Sequence, residues 1–250
     1  AHGADSAAIG STAMGDTTWA TIDPDFQVYA IKDVSELNKN YDGDTYFQLT
    51  SSYLGINLTS SVFDNVYDNS KWNFAVRIRP SKAPWVNAVT GAALSSEYNY
   101  EVSFYGVNAD LDVISNEFAL SASVSNALGT GFNSSPRRLY IGPHRTNFTG
   151  TALARSDVKV SSTRAWADYL TNAEIKAHAT DAENRGVLQP YQNTFLFQTG
   201  SATGGALRSY YIPRSELLML EWDFSQITSS DAGGQFQVQD VSSGSLSGSY

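Results

Sequence analysis

Residues 71–80, KWNFAVRIRP, carry an apolar side chain at every second position: Trp72, Phe74, Val76 and Ile78 on one side, Asn73, Ala75, Arg77 and Arg79 on the other. A period of two fits a pleated strand, in which successive side chains point to opposite faces, and fits no helix. The pattern predicts one buried face and one solvent face bearing both arginines. Pro80, with no amide to donate, ends the ladder.

The same period returns in residues 26–31, in NYEVSFYGV (99–107) and in NEFALSASVS (116–125), the last two separated by a polar turn around 108–112. DTYFQLTSSYLGINLT (44–59) holds two short apolar-rich runs around Ser51 and Ser52 and reads as a hairpin. RRLYIGPHR (137–145), SDVKVSSTRAW (156–166), residues 193–198 and 206–212, ELLMLEWDFS (216–225) and GQFQVQDV (234–241) add further strands. Strands at such intervals, joined by turn-like loops, predict an all-β fold: a sandwich of two antiparallel sheets rather than a βαβ arrangement.

One short helix interrupts them. In LTNAEIKAHATDAENRG (170–186), Thr171 stands as cap, Glu174 three residues on and Gly186 past the end, a capping box with a glycine stop. Its apolar stripe, Ile175, Ala179 and Ala182 with Leu170, is expected on the sandwich edge.

Composition narrows the chemistry. The 250 residues include 16 basic and 25 acidic side chains, a formal net charge of −9, so the broad basic face that grips nucleic-acid phosphates is not expected. The absence of cysteine excludes a disulfide scaffold, a thiolate zinc site and a cysteine nucleophile. His2, His144 and His178 lie far apart, and no apolar run approaches the roughly 20 residues of a membrane helix. Charged residues make up only 16%, against about 25% in an average domain, so the surface is expected to be hydroxyl- and amide-rich.

The ends read as open. AHGADSAAIG shows no signal peptide, although one removed earlier would leave no trace, and VSSGSLSGSY reads as a Ser/Gly linker. Both ends suit a segment of a longer polypeptide, and equally a mature protein with loose tails. The organisation expected is an N-terminal arm and first strand over 1–39, a sandwich over 40–186, and C-terminal strands with a linker over 187–250. Extended arms at 1–30 and 226–250 are expected to reach neighbouring chains by strand addition.

YDGDTYFQL (41–49), WNFAVRIRP (72–80) and above all LYIGPHRTNFTGTALARSDVKVSSTRAWADYLTNAEIKAHA (139–179) resemble the LamG-type concanavalin A-like lectin/glucanase domain. The third stretch is similar to that family's succession of a strand ending Ile-Gly, a loop, Phe-x-Gly, a strand and a Leu-Ser-x-x-Glu-Ile helix. The resemblance implies a concanavalin A-like jelly-roll sandwich over about 40–186 and says little about ligand. GPHRTNFTG and HATDAENRG, followed by LEWDFSQITSSDAGGQFQVQDVSSGS, resemble large bacteriophage virion structural proteins that carry LamG-like modules.

Candidate sites follow. Glu221 and Asp223, alternate residues of one strand, resemble the start of the E-x-D-x-x-E motif of glycosidases on this fold. The third position is Gln226, which cannot protonate a leaving group, so an apolar strand with polar edges is the preferred reading. Asn38-x-Asn40-x-Asp42-Gly43-Asp44 resembles the start of a calcium loop, but Leu49 replaces its bidentate acid. LamG-like domains hold calcium at the sandwich rim; Asp42, Asp44, Asp110 or Asp112 would serve here, and turn formation explains them equally well. His144 and Arg145, beside Asn147 and Phe148, suit a loop pocket for sugar or peptide, or a clamp on the sheet edge. His178 complements a helix C-terminus. Asn57, Asn133 and Asn147 head glycosylation sequons. No nucleophile elbow, P-loop or dinucleotide fingerprint is present.

These readings favour a non-enzymatic virion module that contacts other virion proteins or copies of itself, with no resident cofactor, no nucleic acid and no membrane insertion. The alternative is a carbohydrate-binding lectin at a cell surface, calcium-assisted, stacking a host glycan on Tyr98, Tyr100 and Tyr105 with help from His144 and Arg145. A laminarinase-like hydrolase using Glu221 is the third; it requires an exposed Glu221 and a second carboxylate nearby.

Overall fold

The computed structural model describes residues 26–32, 44–64, 66–67, 70–82, 90, 98–135, 141, 144–145, 152–154, 159–181, 197–198, 208–209, 218–230 and 236–240. The chain divides into two units, residues 1–158 and 159–250.

In the first unit, β1 (Gln27–Lys32), β2 (Thr45–Ser51) and β3 (Ile56–Phe63) form one antiparallel sheet. β4 (Trp72–Pro80), β5 (Tyr100–Asp110) and β6 (Val113–Val124) form another, and β7 (His144–Arg145) pairs with β8 (Ala152–Ala154). Each of these two three-stranded sheets joins strands consecutive in sequence. The interleaving of strands between sheets that marks a jelly roll is not seen among the described residues.

The two sheets share one core. β2 alternates cleanly, with Thr45, Phe47, Leu49 and Ser51 buried. Phe47 meets four rings from three other strands: Phe63 on β3, Trp72 and Phe74 on β4, and Phe118 on β6 lie 4.6–5.9 Å away, and Phe104 on β5 lies 5.0 Å from Phe118. Such pairs add roughly 0.5–1.5 kcal/mol each beyond area burial. The arrangement is sandwich-like: two antiparallel layers over an aromatic core. Between Tyr46 and Gln48 the β2–β3 register shifts, and the Phe47 amide instead donates to Ser60 Oγ at 2.9 Å. The bulge thus leaves no buried donor without a partner at Phe47.

β5 is buried on both faces: Tyr100, Val102 and Phe104 face the aromatic core, while Ser103, Tyr105, Val107 and Ala109 are buried on the other side. Arg77, on β4 beside this second face, is therefore buried rather than solvated, which corrects the expected pair of exposed arginines. Its Nη2 donates to Ser103 Oγ at 2.8 Å, the partner that a buried guanidinium requires. Arg79 alone behaves as expected, exposed and bonded to Glu101 across the strands.

Two helices are described where one was expected. α1 (Asn126–Ser134) follows β6, with Ser125 Oγ accepting from the Leu128 amide, and buries Phe132 in the shared core. Gly129 lies against the Tyr100 ring, where a Cβ would overlap ring atoms.

In the second unit, β9 (Ser162–Trp166) and β13 (Phe236–Asp240) flank β12 (Leu218–Ser230), and β10 (Phe197–Gln198) pairs with β11 (Arg208–Ser209). Among the described residues β9 thus pairs with C-terminal sequence, not with strands of 40–158. Helix α2 (Asn172–Thr180) has the expected capping box: Glu174 N donates to Thr171 Oγ1, and Thr171 N donates to Glu174 Oε2. It ends at Thr180, earlier than expected, where the Thr180 hydroxyl bonds Lys176 O and Ala177 O and Asp181 turns extended. Ala182 and Gly186 lie outside the described residues.

Of the expected arms at 1–30 and 226–250, residues 27–30 belong to β1 and pair with β2, while 226–230 and 236–240 belong to β12 and β13, which pair with each other; residues 1–25, 231–235 and 241–250 lie outside the described residues. Alternating apolar sequence satisfies its backbone within the chain where a partner strand is at hand.

Candidate functional site

The tyrosines do not form one exposed face. Tyr100 and Tyr105 are five residues apart on β5 and point to opposite faces, as an odd spacing on a strand dictates. Tyr100 is 8% exposed in the aromatic core and Tyr105 is 1% exposed, so neither offers a ring to a sugar. Tyr98, half-buried, packs on Tyr100 at 5.9 Å.

Tyr105 sits instead in a polar lattice. Its hydroxyl donates to Glu117 Oε2 at 2.7 Å, and the Arg77 guanidinium lies 5.6 Å from its ring centre. Burial raises the phenol's pKa well above its usual value, the hydrogen bond to Glu117 and that carboxylate's charge raise it further, and Arg77 opposes them. Held neutral, this phenol is a hydrogen-bond donor that fixes strand register.

Glu221 is 1% exposed, and Arg164 Nε donates to its Oε1 at 3.0 Å. The two residues are cross-strand partners on β12 and β9. The exposed carboxylate that the hydrolase reading requires is therefore absent at Glu221. His178 is buried, its ring stacked on Trp166 at 5.6 Å.

The metal candidates are spread out. Asp42 lies outside the described residues, Asp44 is half-buried just before β2, and Asp110 and Asp112 are exposed at the β5–β6 turn. Among the described residues no three His, Cys, Asp or Glu side chains form a group able to hold a metal ion. His144 and Arg145 constitute β7.

What the first unit does present is exposed apolar surface on rigid strands. β5 and β6, 11 and 12 residues long, meet at a turn far tighter than the sequence suggests: Asp110 pairs with Val113, leaving only Leu111 and Asp112 between them. Leu111 is 85% exposed with φ +53°, and Val113 is 65% exposed. A left-handed first turn residue is ordinarily Gly, Asn or Asp, so leucine here holds a large apolar side chain outward at a conformational cost.

A second apolar feature lies along the edge strands. Val28 and Ala30 on β1 stand opposite Leu49 and Phe47, hence on the core side, yet both are exposed because β1 has a neighbour on one side only among the described residues. Phe74 on β4, the edge of the other sheet, rests 4.7 Å from Phe47. Val28 and Phe74 are each 37% exposed. On the opposite side β3 lies close to β6. The sandwich is thus closed along β3 and β6; on the other edge α1 packs on β4 and its Phe132 meets Phe26 at 6.0 Å, and the part-exposed Val28, Ala30 and Phe74 form an apolar seam beside Phe47. Lys32, on the same side of β1 as Val28, lies 4.2 Å over the Tyr67 ring.

No helix among the described residues is long and apolar enough to cross a membrane. No family model, curated protein or solved structure matches the chain.

Proposed function

We propose that this chain is a non-enzymatic structural or adhesion module of a bacteriophage virion, a LamG-like, concanavalin A-like sandwich acting through contacts with other virion proteins or copies of itself. The observation that carries the reading is the pair of apolar features on one sandwich: the hairpin tip with Leu111 and Val113, and the seam with Val28 and Phe74. Protein surfaces that stay in water rarely combine an outward leucine at positive φ with core-facing residues left part-exposed at a sheet edge. The resemblance of residues 41–49 and 72–80, which supply β2 and β4, to LamG strands supports the sandwich, and the resemblance of the later sequence to phage structural proteins supports the location.

The test is a protein census of particles purified from the source. The chain is expected at a fixed copy number in the intact particle, and its absence from the particle ends the virion reading. The lectin alternative rests on Tyr98, His144 and Arg145, and a glycan array read with and without a calcium chelator decides it.

A further inference from the structure

Given that contact-making role, we propose that the β5–β6 hairpin tip of one copy seats in the seam of a second copy of this chain. The interface is heterologous, so each molecule offers one tip and one seam and the contact propagates head to tail.

Three features match. The tip is a narrow apolar projection, Leu111 and Val113, and the seam exposes Val28, Ala30 and Phe74 on the side of the buried Phe47. Asp110 and Asp112 flank the projecting leucine, and Lys32 stands on the seam side of β1, so opposite charges meet when the tip enters. The tip is also rigid, held by a ladder from Tyr100–Val124 to Asp110–Val113, so little freedom is lost on docking. Tip and seam are different surface elements, so each contact pairs unlike patches; a wild-type mass that stops at twice the monomer would mark a reciprocal two-fold pair and overturn the head-to-tail arrangement. Heterologous contacts of this kind close into rings or extend as filaments, the geometries from which tubular assemblies are built. The contact is small, so each one is weak and the assembly gains its strength from repetition.

Sedimentation of the 250-residue chain, followed over a roughly hundred-fold concentration range, tests this. The average mass is expected to rise with concentration. Leu111→Asp, which removes the tip, and Lys32→Glu, which repels it from the seam, are each expected to stay monomeric. Mixed in equal amounts, they are expected to give a species of twice the monomer mass and nothing larger, because only one tip and one seam remain intact between them. Val113→Lys serves as a second tip variant, and circular dichroism confirms that all variants are folded. A wild-type chain that stays monomeric throughout, or a mixture that does, overturns the proposal. Either result leaves contact with other virion proteins standing, and the particle census tests that separately.

Discussion

Arg164 and Glu221 face each other across the β9–β12 ladder, guanidinium to carboxylate at 3.0 Å, with the carboxylate closed off from solvent. A buried pair of this kind stabilises little by itself, but removing one partner strands the other's charge. Glu221→Ala is therefore expected to cost about 3 kcal/mol in chemical denaturation, while the double replacement of Arg164 and Glu221 by methionine stays within about 1 kcal/mol of wild type. If Glu221→Ala were as stable as wild type, the pair would not be a structural element of the second unit.

Gly106 lies on β5 between Phe74 and Phe118 on the flanking strands, and a Cβ there would overlap the Phe118 ring. That ring cannot swing aside, since Phe47, Phe63 and Phe104 pack around it at 5.0–5.9 Å. Gly106→Ala is expected to destabilise by about 2–3 kcal/mol, and Phe118→Leu in the same chain to recover part of that loss. A thermal-denaturation cycle over the four variants reads the coupling directly; additive effects would show that the ring and the glycine are independent.

Leu111 carries the opposite sign. Leu111→Gly releases the cost of a left-handed leucine and is expected to raise stability by about 0.5 kcal/mol, whereas Leu111→Val, β-branched, lowers it by about 1 kcal/mol. Urea midpoints check both. A glycine variant that is less stable would mean that the leucine packs against something within its own molecule.

Tyr105 makes stability fall at high pH. Its pKa is raised in the folded chain, so the native state holds the proton after the unfolded state has begun to lose it. The contribution is whole below the unfolded value of about 10 and is lost as pH climbs from there towards the higher folded value. Melting temperatures taken near pH 8 and near pH 10.5 should show a steeper drop for wild type than for Tyr105→Phe, which has no proton to lose. Equal slopes would place the alkaline sensitivity elsewhere among the chain's other tyrosines.

The period of two located β1 to β6, because each spends at least part of its length between core and solvent. It misread β4 and β5 where that condition fails. With both faces of β5 buried, Ser103 and Tyr105 lie as deep as Val102 and Phe104, and Arg77 is drawn in beside them. The tyrosines offered to a sugar were misplaced for the same reason: aromatic content says nothing about which face of a strand is covered. Helix α1 escaped notice because Gly129 weakens helix propensity, and it occupies its place through contact with Tyr100, a relationship no local pattern records. The capping box of α2 was legible because Thr171 and Glu174 act on their own backbone. The partnership of Arg164 with Glu221 is separated by 57 residues and needed the strand pairing to reveal it. The tip is shorter than the polar turn expected around 108–112, since the ladder runs on to Asp110 and Val113.

Hydrogen exchange of the chain at low and high concentration tests most directly whether the module works through these surfaces. The account predicts slower exchange on concentration at residues 27–32 and 110–114, with residues 45–51 and 100–108 unchanged. Identical exchange at the tip and along β1 in both samples, or protection confined to other segments, would contradict it.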